Sequence, residues 1–245
     1  MPIPSKKIAV VIPAFHCEKT LESVLRRIPP ATRQQLYRVI IVDDGSPDGT
    51  GALADRLARE DPKLLALHHG VNRGYAQAQK TGFRAALELG SDIVALLHSD
   101  GQLAPELLET LLAPLLEERA DLVQGYRIQG WATLRAGMPI YKYLANRALT
   151  LMENLCFGMN AREFHCGYQL YSAKTLRTIP FEKLSDTFHF DGEMILMATL
   201  KGLVRADIFA PCAYRDEKSH VQLFRYGMDV LKTMIRFRQG YYHRL

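Results

Sequence analysis

The sequence predicts an α/β fold on a mostly parallel, Rossmann-like sheet with flanking helices. Two observations carry this reading. Short apolar runs alternate with helix-period segments through the first half, and polar, glycine-containing clusters follow directly on two of those runs. Ile8-Ala-Val-Val-Ile12 reads as a buried strand ended by Pro13. Leu21, Val24, Leu25 and Ile28 recur with a helical period. Val39–Val42 is a second strand that opens onto Asp43-Asp44-Gly45. A helix follows, then the apolar run Leu64–Leu67, the glycine-punctuated Asn72-Arg-Gly74 and a helix to about Leu89. Ile93–Leu97 is another buried strand, ending at His98-Ser-Asp100; residues 105–118 form a leucine-rich helix and Asp121–Gln124 one more strand.

After residue 125 the alternation is less regular, and aromatic and basic residues are more frequent. The expected organisation is a sheet domain over 1–210, with a nucleotide-binding half (1–125) and an acceptor half (126–210), followed by a basic amphipathic segment over 211–245. Near the end, Phe224, Met228, Leu231 and Ile235 flank Leu223, Gly227, Val230 and Met234 on one helix face, with Arg225, Lys232 and Arg236 on the other.

Composition narrows the class. A chain of 245 residues with 48% hydrophobic and 23% charged residues has the material for a folded core, which excludes disorder over most of its length. No run approaches the roughly 18 apolar residues of a membrane-spanning helix. No signal-peptide stretch precedes the first strand, so a cytosolic location is the expectation. Cys17, Cys156, Cys166 and Cys212 show no CxxC pairing and read as reduced, buried thiols. Net charge is +5, and residues 211–245 hold seven Lys/Arg against three acids. A basic tail on a near-neutral body points to an anionic partner such as phosphate or acidic lipid, and no nucleic-acid partner is expected.

The polar clusters stand where open α/β sheets bind ligands, at the carboxyl ends of strands. In Asp43-Asp44-Gly-Ser-Pro-Asp-Gly-Thr50 a carboxylate can accept bonds from a nucleobase or ribose, although turn and helix-cap chemistry would use the same residues. In His98-Ser-Asp100-Gly-Gln102, residues two apart point the same way if the chain stays extended, so an imidazole, a carboxylate and an amide could share a Mg²⁺ or Mn²⁺ with diphosphate oxygens. Asp191 and Glu193 sit among aromatics in Phe188-His-Phe-Asp-Gly-Glu193; either a general base with a raised pKa or acids at a helix N-terminus would fit. Arg127, Arg135, Lys142 and Arg147 are candidate phosphate contacts, with Lys142 and Asn146 on one helix face. His16, His68, His69, His165 and His220 form no HExxH-type zinc pattern and are read mostly as structural. Pro47-Asp-Gly-Thr50 superficially fits a haloacid-dehalogenase phosphatase, but Asp48 lies past the strand end, and the absence of GxGxxG after the first strand argues against a Rossmann oxidoreductase.

Taken in order, these motifs resemble glycosyltransferase family 2, in its dolichyl-phosphate mannose synthase-like branch. The resemblance spans nearly the whole chain, through Val10–Phe15, Val42–Thr50, Asn72–Gly74, His98–Gln102, Met138–Tyr143, Asn146-Arg147, Glu163–Tyr168, Phe188–Asp191 and Asp216–His220. It implies a GT-A fold, a nucleoside-diphosphate sugar donor, a divalent metal and inversion at the anomeric carbon. By the same resemblance, Pro13, Phe15, Glu18, Asp43, Asp44, Gly74 and Ser99 would line the nucleotide-sugar pocket, with Arg215 and Lys218 closing over the diphosphate. Asp100 and Gln102, with His98, would hold the metal. Arg127, Lys142 and Arg147 would bind an acceptor lipid phosphate.

Three positions depart from the pattern. His98 replaces the first acid of DxDxQ, Gln169 stands where arginine is usual, and His16-Cys17 replace Asn-Glu, with Glu18 keeping an acid nearby. A polyprenyl phosphate acceptor at the cytosolic membrane face would need no protein base; a hydroxyl acceptor would, and Asp191 is then the candidate. The rival expectations are a same-fold transferase acting on a soluble small molecule or protein, and a noncatalytic nucleotide-sugar-binding partner. The basic tail would lie on an anionic membrane surface or dock on the body and seal the donor site.

Overall fold

The structure is a computed structural model that describes residues 6–212 and 223–245, the side chain of Leu223 excepted. Arg215 and Lys218 lie outside the described residues. Seven strands form one mixed sheet: β1 (Ile8–Ala14), β2 (Leu36–Asp43), β3 (Leu64–His68), β4 (Ile93–Leu96), β5 (Leu122–Tyr126), β6 (Gln169–Ser172) and β7 (Arg205–Phe209). Their order is β3-β2-β1-β4-β6-β5-β7. All neighbouring pairs are parallel except those of β6, which runs antiparallel to both β4 and β5. The mostly parallel α/β sheet read from the sequence is therefore present.

The apolar runs are continuous because helices cover both faces of the sheet. Alternate residues go to opposite cores. Ile8, Val10 and Ile12 join one cluster with Val39, Ile41, Ile93 and Ala95. Ala9 and Val11 join the other with Ile40, Val42, Val94 and Leu96. The described helices are α1 (Leu21–Arg27), α2 (Pro30–Gln35), α3 (Thr50–Glu60), α4 (Tyr75–Glu88), α5 (Leu108–Leu116), α6 (Trp131–Arg135), α7 (Ile140–Phe157), α8 (Ala173–Thr178), α9 (Phe190–Leu200) and α10 (Leu223–Arg238). Leu21, Val24 and Leu25 of α1 and Leu108, Leu111, Leu112 and Leu115 of α5 fill the first core. Ala76, Ala78, Phe83 and Ala86 of α4 fill the second, with most of α9. Helix α4 lies close on β1: a Cβ at Gly82 would stand 2.2 Å from Val11 Cγ1.

Every residue of α9 from Phe190 to Ala198 is buried, so this helix has no polar face to show. Helix α7 is different. It ends at Gly158, whose φ of 66° makes a left-handed cap, and it packs against α10. Val230 and Thr233 of α10 face inward, and Met234 and Phe237 rest against the second core. Phe224, Met228, Leu231 and Ile235 are exposed. The C-terminal helix thus carries two apolar stripes, one docked on the body and one outward beside Arg225, Lys232 and Arg236.

Candidate active site

Three loops leave the carboxyl edge of the sheet from β1, β2 and β4. The chain winds outward from β1 to β3, then returns to place β4 on the other side of β1. Ligands of open α/β sheets bind at such a reversal of strand order. Pro13 is buried in β1, beyond the last β1–β4 pair, Val11 with Leu96. Phe15 is exposed, and its ring meets His16 edge-on at 4.6 Å. Glu18 Oε2 accepts the Gly49 N–H at 3.2 Å, joining the first loop to the second.

Asp43 and Asp44 are both buried. Asp44 accepts the backbone N–H groups of Arg73 (2.9 Å) and Gly74 (2.8 Å) and the Nδ1–H of His69 (2.6 Å), so it anchors the loop into α4. Asp43 Oδ1 accepts the Ser46 N–H at 3.1 Å, and its Oδ2 lies 3.3 Å from His68 Nδ1. His68 Nε2 in turn lies 3.0 Å from Asp55. Two glycines make this geometry available. Gly74 has a φ of 94°, and a Cβ on Gly45 (φ 69°) would come within 2.6 Å of the Val71 carbonyl carbon.

The third loop does not stay extended. Strand β4 ends at Leu96, and a turn over Ser99–Gly101 follows, in which Asp100 Oδ1 accepts the Gln102 N–H at 2.9 Å and Gly101 has a φ of 73°. The common direction expected for His98, Asp100 and Gln102 therefore fails. His98 Nε2 lies 2.7 Å from the Tyr75 hydroxyl, whereas Gln102 Oε1 stands 4.0 Å from Cys212 Sγ, where Leu103 bridges to Cys212. Asp100 Oδ2 takes no hydrogen bond from the described residues. Ser99 is buried.

A polar chain continues from His98. Tyr75 donates to Asp191 Oδ2 at 3.0 Å, and Gln79 Nε2 donates to Asp191 Oδ1 at 2.9 Å. Burial pushes the Asp191 carboxyl above its ordinary range, against the opposing pull of Gln79, His98 and Tyr75. Burial and the neighbouring Asp191 likewise push the Tyr75 phenol well up. Gly167 leaves the room: a Cβ there would stand 2.5 Å from both His98 Nε2 and the Tyr75 oxygen. Gln169, the position that departs from arginine, donates to the Asp191 carbonyl at 3.1 Å.

In the second half of the chain, Arg127 closes on Glu163. Its backbone N–H donates to Glu163 Oε2 at 2.7 Å, its Nε to Oε1 at 3.0 Å, and its Nη2 pairs with Oε1 and donates to the His165 carbonyl at 2.6 Å. Asn146 donates to Glu163 Oε1 at 2.9 Å. Lys142, one turn earlier on α7, is half-buried, and Arg147 is exposed. Sequence reasoning gave no role to Tyr75, Gln79 or Glu163. Tyr75 directly follows Asn72-Arg-Gly74 and Glu163 opens a quoted motif, but neither carries a signal of its partner.

A seven-stranded sheet with one reversed strand, and acids gathered on the loops at its switch point, define the class: a GT-A-fold protein. The family model "Glycosyl transferase family 2" matches residues 9–179, and the chain belongs to that family. It is 34% identical over 179 residues to the undecaprenyl-phosphate mannosyltransferase of Micrococcus luteus, covering 73% of this chain and 71% of the relative. It is 31% identical over 177 residues to the polyprenol monophosphomannose synthase of Mycolicibacterium smegmatis, covering 72% and 65%. To the UDP-N-acetylglucosamine–dolichyl-phosphate N-acetylglucosaminyltransferase of Methanococcus voltae it is 27% identical, covering 79% and 80%. Glucosyl-3-phosphoglycerate synthase from Mycobacterium tuberculosis, solved with Mn²⁺, uridine diphosphate and phosphoglyceric acid, shares the fold with a TM-score of 0.67 at 21% identity, covering 96% of this chain and 79% of that one.

Proposed function

We propose that the chain transfers a sugar, with inversion, from a UDP- or GDP-sugar to a polyprenyl phosphate at a membrane surface. The observation that carries this reading is the pairing of a strand-end acid site with an exposed apolar face on the acceptor half. Tyr141, Leu144, Leu151 and Leu155 of α7 are exposed, as are Phe224, Met228, Leu231 and Ile235 of α10. Phe224 is 85% and Leu155 73% exposed, and the exposed apolar residues recur along two helices that pack on each other. The basic side chains of α10 flank that face, as an interfacial helix requires on an anionic membrane. No helix of the described residues is long and apolar enough to cross a membrane. The three relatives above are named for lipid-phosphate acceptors, which supports the same acceptor class here.

The donor would sit over Pro13, Phe15 and Glu18, with Asp43, Asp44 and Gly74 shaping the base and ribose end and Ser99 beneath it. Asp44 acts chiefly by holding the Arg73-Gly74 turn. Arg215 and Lys218 are assigned to the donor diphosphate. At the end of β4, Asp100 fits Mg²⁺ or Mn²⁺, since its Oδ2 takes no hydrogen bond from the described residues; His98 and Gln102, which reach Tyr75 and Cys212, would have to turn to join it. These cations are held in many sites by one or two carboxylates and substrate phosphates. When bound, the ion would stabilise negative charge on the departing diphosphate.

The acceptor phosphate oxygen is already anionic, so it can attack the anomeric carbon while the bond to the donor diphosphate breaks, without a protein base. Arg127 and Lys142 would orient that phosphate, with Arg147 at the membrane rim; Glu163 fixes the Arg127 guanidinium. Asp191 is buried with both oxygens engaged, so its assigned role is to hold Tyr75 and, through it, the His98 ring. Incubation with labelled nucleotide sugars, a divalent cation and polyprenyl phosphate in vesicles tests the reading: label should enter the lipid fraction, and its absence with every donor would reject it.

A further inference from the structure

Glu153 of α7, His165 of the loop before β6, and His189 at the N-terminal cap of α9 turn their side chains to one point that the proposed reaction does not use. Glu153 and His189 are fully enclosed, and the His165 side chain is 6% exposed. His165 Nε2 lies 3.2 Å from Glu153 Oε2, and His189 Nε2 lies 3.2 Å from Glu153 Oε1. One ligand atom from each residue falls within 4.8 Å of the other two. These are ion-pair distances, yet none of the four atoms makes a well-directed hydrogen bond. A buried carboxylate is costly unless it is well paired, so a carboxylate set between two imidazoles without a well-directed hydrogen bond calls for an explanation.

We propose that these three residues form a metal centre, a site with three protein ligands for zinc or a similar first-row divalent ion. Zinc bonds of about 2.0–2.1 Å hold ligand atoms about 3.3 Å apart; each imidazole here lies 3.2 Å from one Glu153 oxygen, and one atom from each residue falls within 4.8 Å of the others, so a small adjustment would close them on an ion. Two imidazoles and a carboxylate suit such an ion, whereas Mg²⁺ and Ca²⁺ prefer oxygen alone. The outer shell fits as well. The Tyr226 hydroxyl oxygen of α10 stands 2.7 Å from His165 Nδ1 and 3.4 Å from His189 Nδ1. A phenol oxygen can accept from both rings, which turns both Nε2 lone pairs inward, as the partners of metal-bound histidines do.

The site is separate from Asp100 in both ligands and chemistry. It ties α7 and the loop that follows it to α9 and α10, which come later in the chain. Arg127 donates to the His165 carbonyl, so an ion here would also stiffen the Arg127–Glu163 corner.

The test uses the full chain carrying Asp100→Ala, which silences the strand-end site, stripped with a chelator and then given Zn²⁺ or Co²⁺. About one zinc should remain per chain after gel filtration, and zinc but not Mg²⁺ should raise the melting temperature by mass action. Adding His189→Ala or Glu153→Gln should weaken zinc binding about tenfold or more. Zinc kept at the same ratio and affinity in both variants overturns the site. Where those variants do not fold, the Co²⁺ spectrum of the Asp100→Ala chain decides. The visible absorption of a four-coordinate ion supports the site, and no uptake of either ion overturns it.

Discussion

The Tyr75 hydroxyl stands between His98 Nε2, at 2.7 Å, and Asp191 Oδ2, at 3.0 Å, so one phenol links the end of β4 to the start of α9. That link aims the His98 ring at the position where the resemblance to family 2 leads one to expect an acid. Tyr75→Phe keeps the ring stack on Phe188 (centroids 5.5 Å apart) but removes the hydroxyl partner of His98 Nε2 and of Asp191 Oδ2, leaving Asp191 only its bond from Gln79. Stability should fall by about 1–3 kcal/mol. Turnover should fall further than donor affinity, which a split of kcat from KM would reveal.

His98→Asp restores the two-acid pattern. A second carboxylate makes the site harder and more anionic, so half-maximal activation should occur at lower Mg²⁺ than in the wild type. Titrating initial rates with Mg²⁺ and Mn²⁺ checks this. An unchanged Mg²⁺ requirement would place the metal away from residue 98.

Asp44 holds three donors in a buried setting. Asp44→Ala leaves His69 and two backbone N–H groups unpaired, and the expected loss is about 3–5 kcal/mol by denaturant unfolding. Nucleotide binding should be lost with it, because the Arg73-Gly74 turn no longer has its anchor.

His68 gives the nucleotide side a pH dependence. Burial alone would lower its pKa from 6.5, but hydrogen bonds to Asp55 and Asp43 outweigh it and the pKa is raised. A raised folded-state value means stabilisation that is complete below the unfolded pKa and lost as pH rises through the folded one. The stability gap between wild type and His68→Gln should be widest below the ordinary imidazole pKa of about 6.5 and close as pH rises through the raised folded-state value. The imidazole is partly exposed, so salt should narrow the gap.

The exposed face should matter for membranes and not for folding. Leu144→Glu, Leu151→Glu and Phe224→Glu together should abolish most co-sedimentation with anionic vesicles. Each position is at least 59% exposed, so unfolding midpoints should shift little, by about 0.5 kcal/mol per site or less. Vesicle binding equal to the wild type would remove the membrane reading of α7 and α10.

Much of the sheet was legible because β1, β2 and β4 are apolar on both faces, and polar loops follow within a few residues, directly in the case of Asp43-Asp44. The later strands were harder. β6 has four residues and includes the buried Gln169, and β7 is half-buried throughout, so neither shows a clean period. Helix α9 hides its own period by being buried all round. The metal triad expected over 98–102 rested on an extended chain, and the Asp100 turn with left-handed Gly101 breaks it. His165 gave no zinc motif because its neighbours His189 and Glu153 come from other elements. For α10 the sequence showed one broad apolar face, and only packing against α7 and the core divides it into docked and exposed stripes.

The most direct measurement is sugar transfer itself, from each labelled UDP- and GDP-sugar to a polyprenyl phosphate, with and without Mn²⁺ or Mg²⁺, for wild type and Asp100→Ala. Metal-dependent appearance of lipid-linked sugar, lost in Asp100→Ala, is the expected result. Nucleotide release with no sugar in the lipid fraction, or equal transfer by Asp100→Ala, would contradict it.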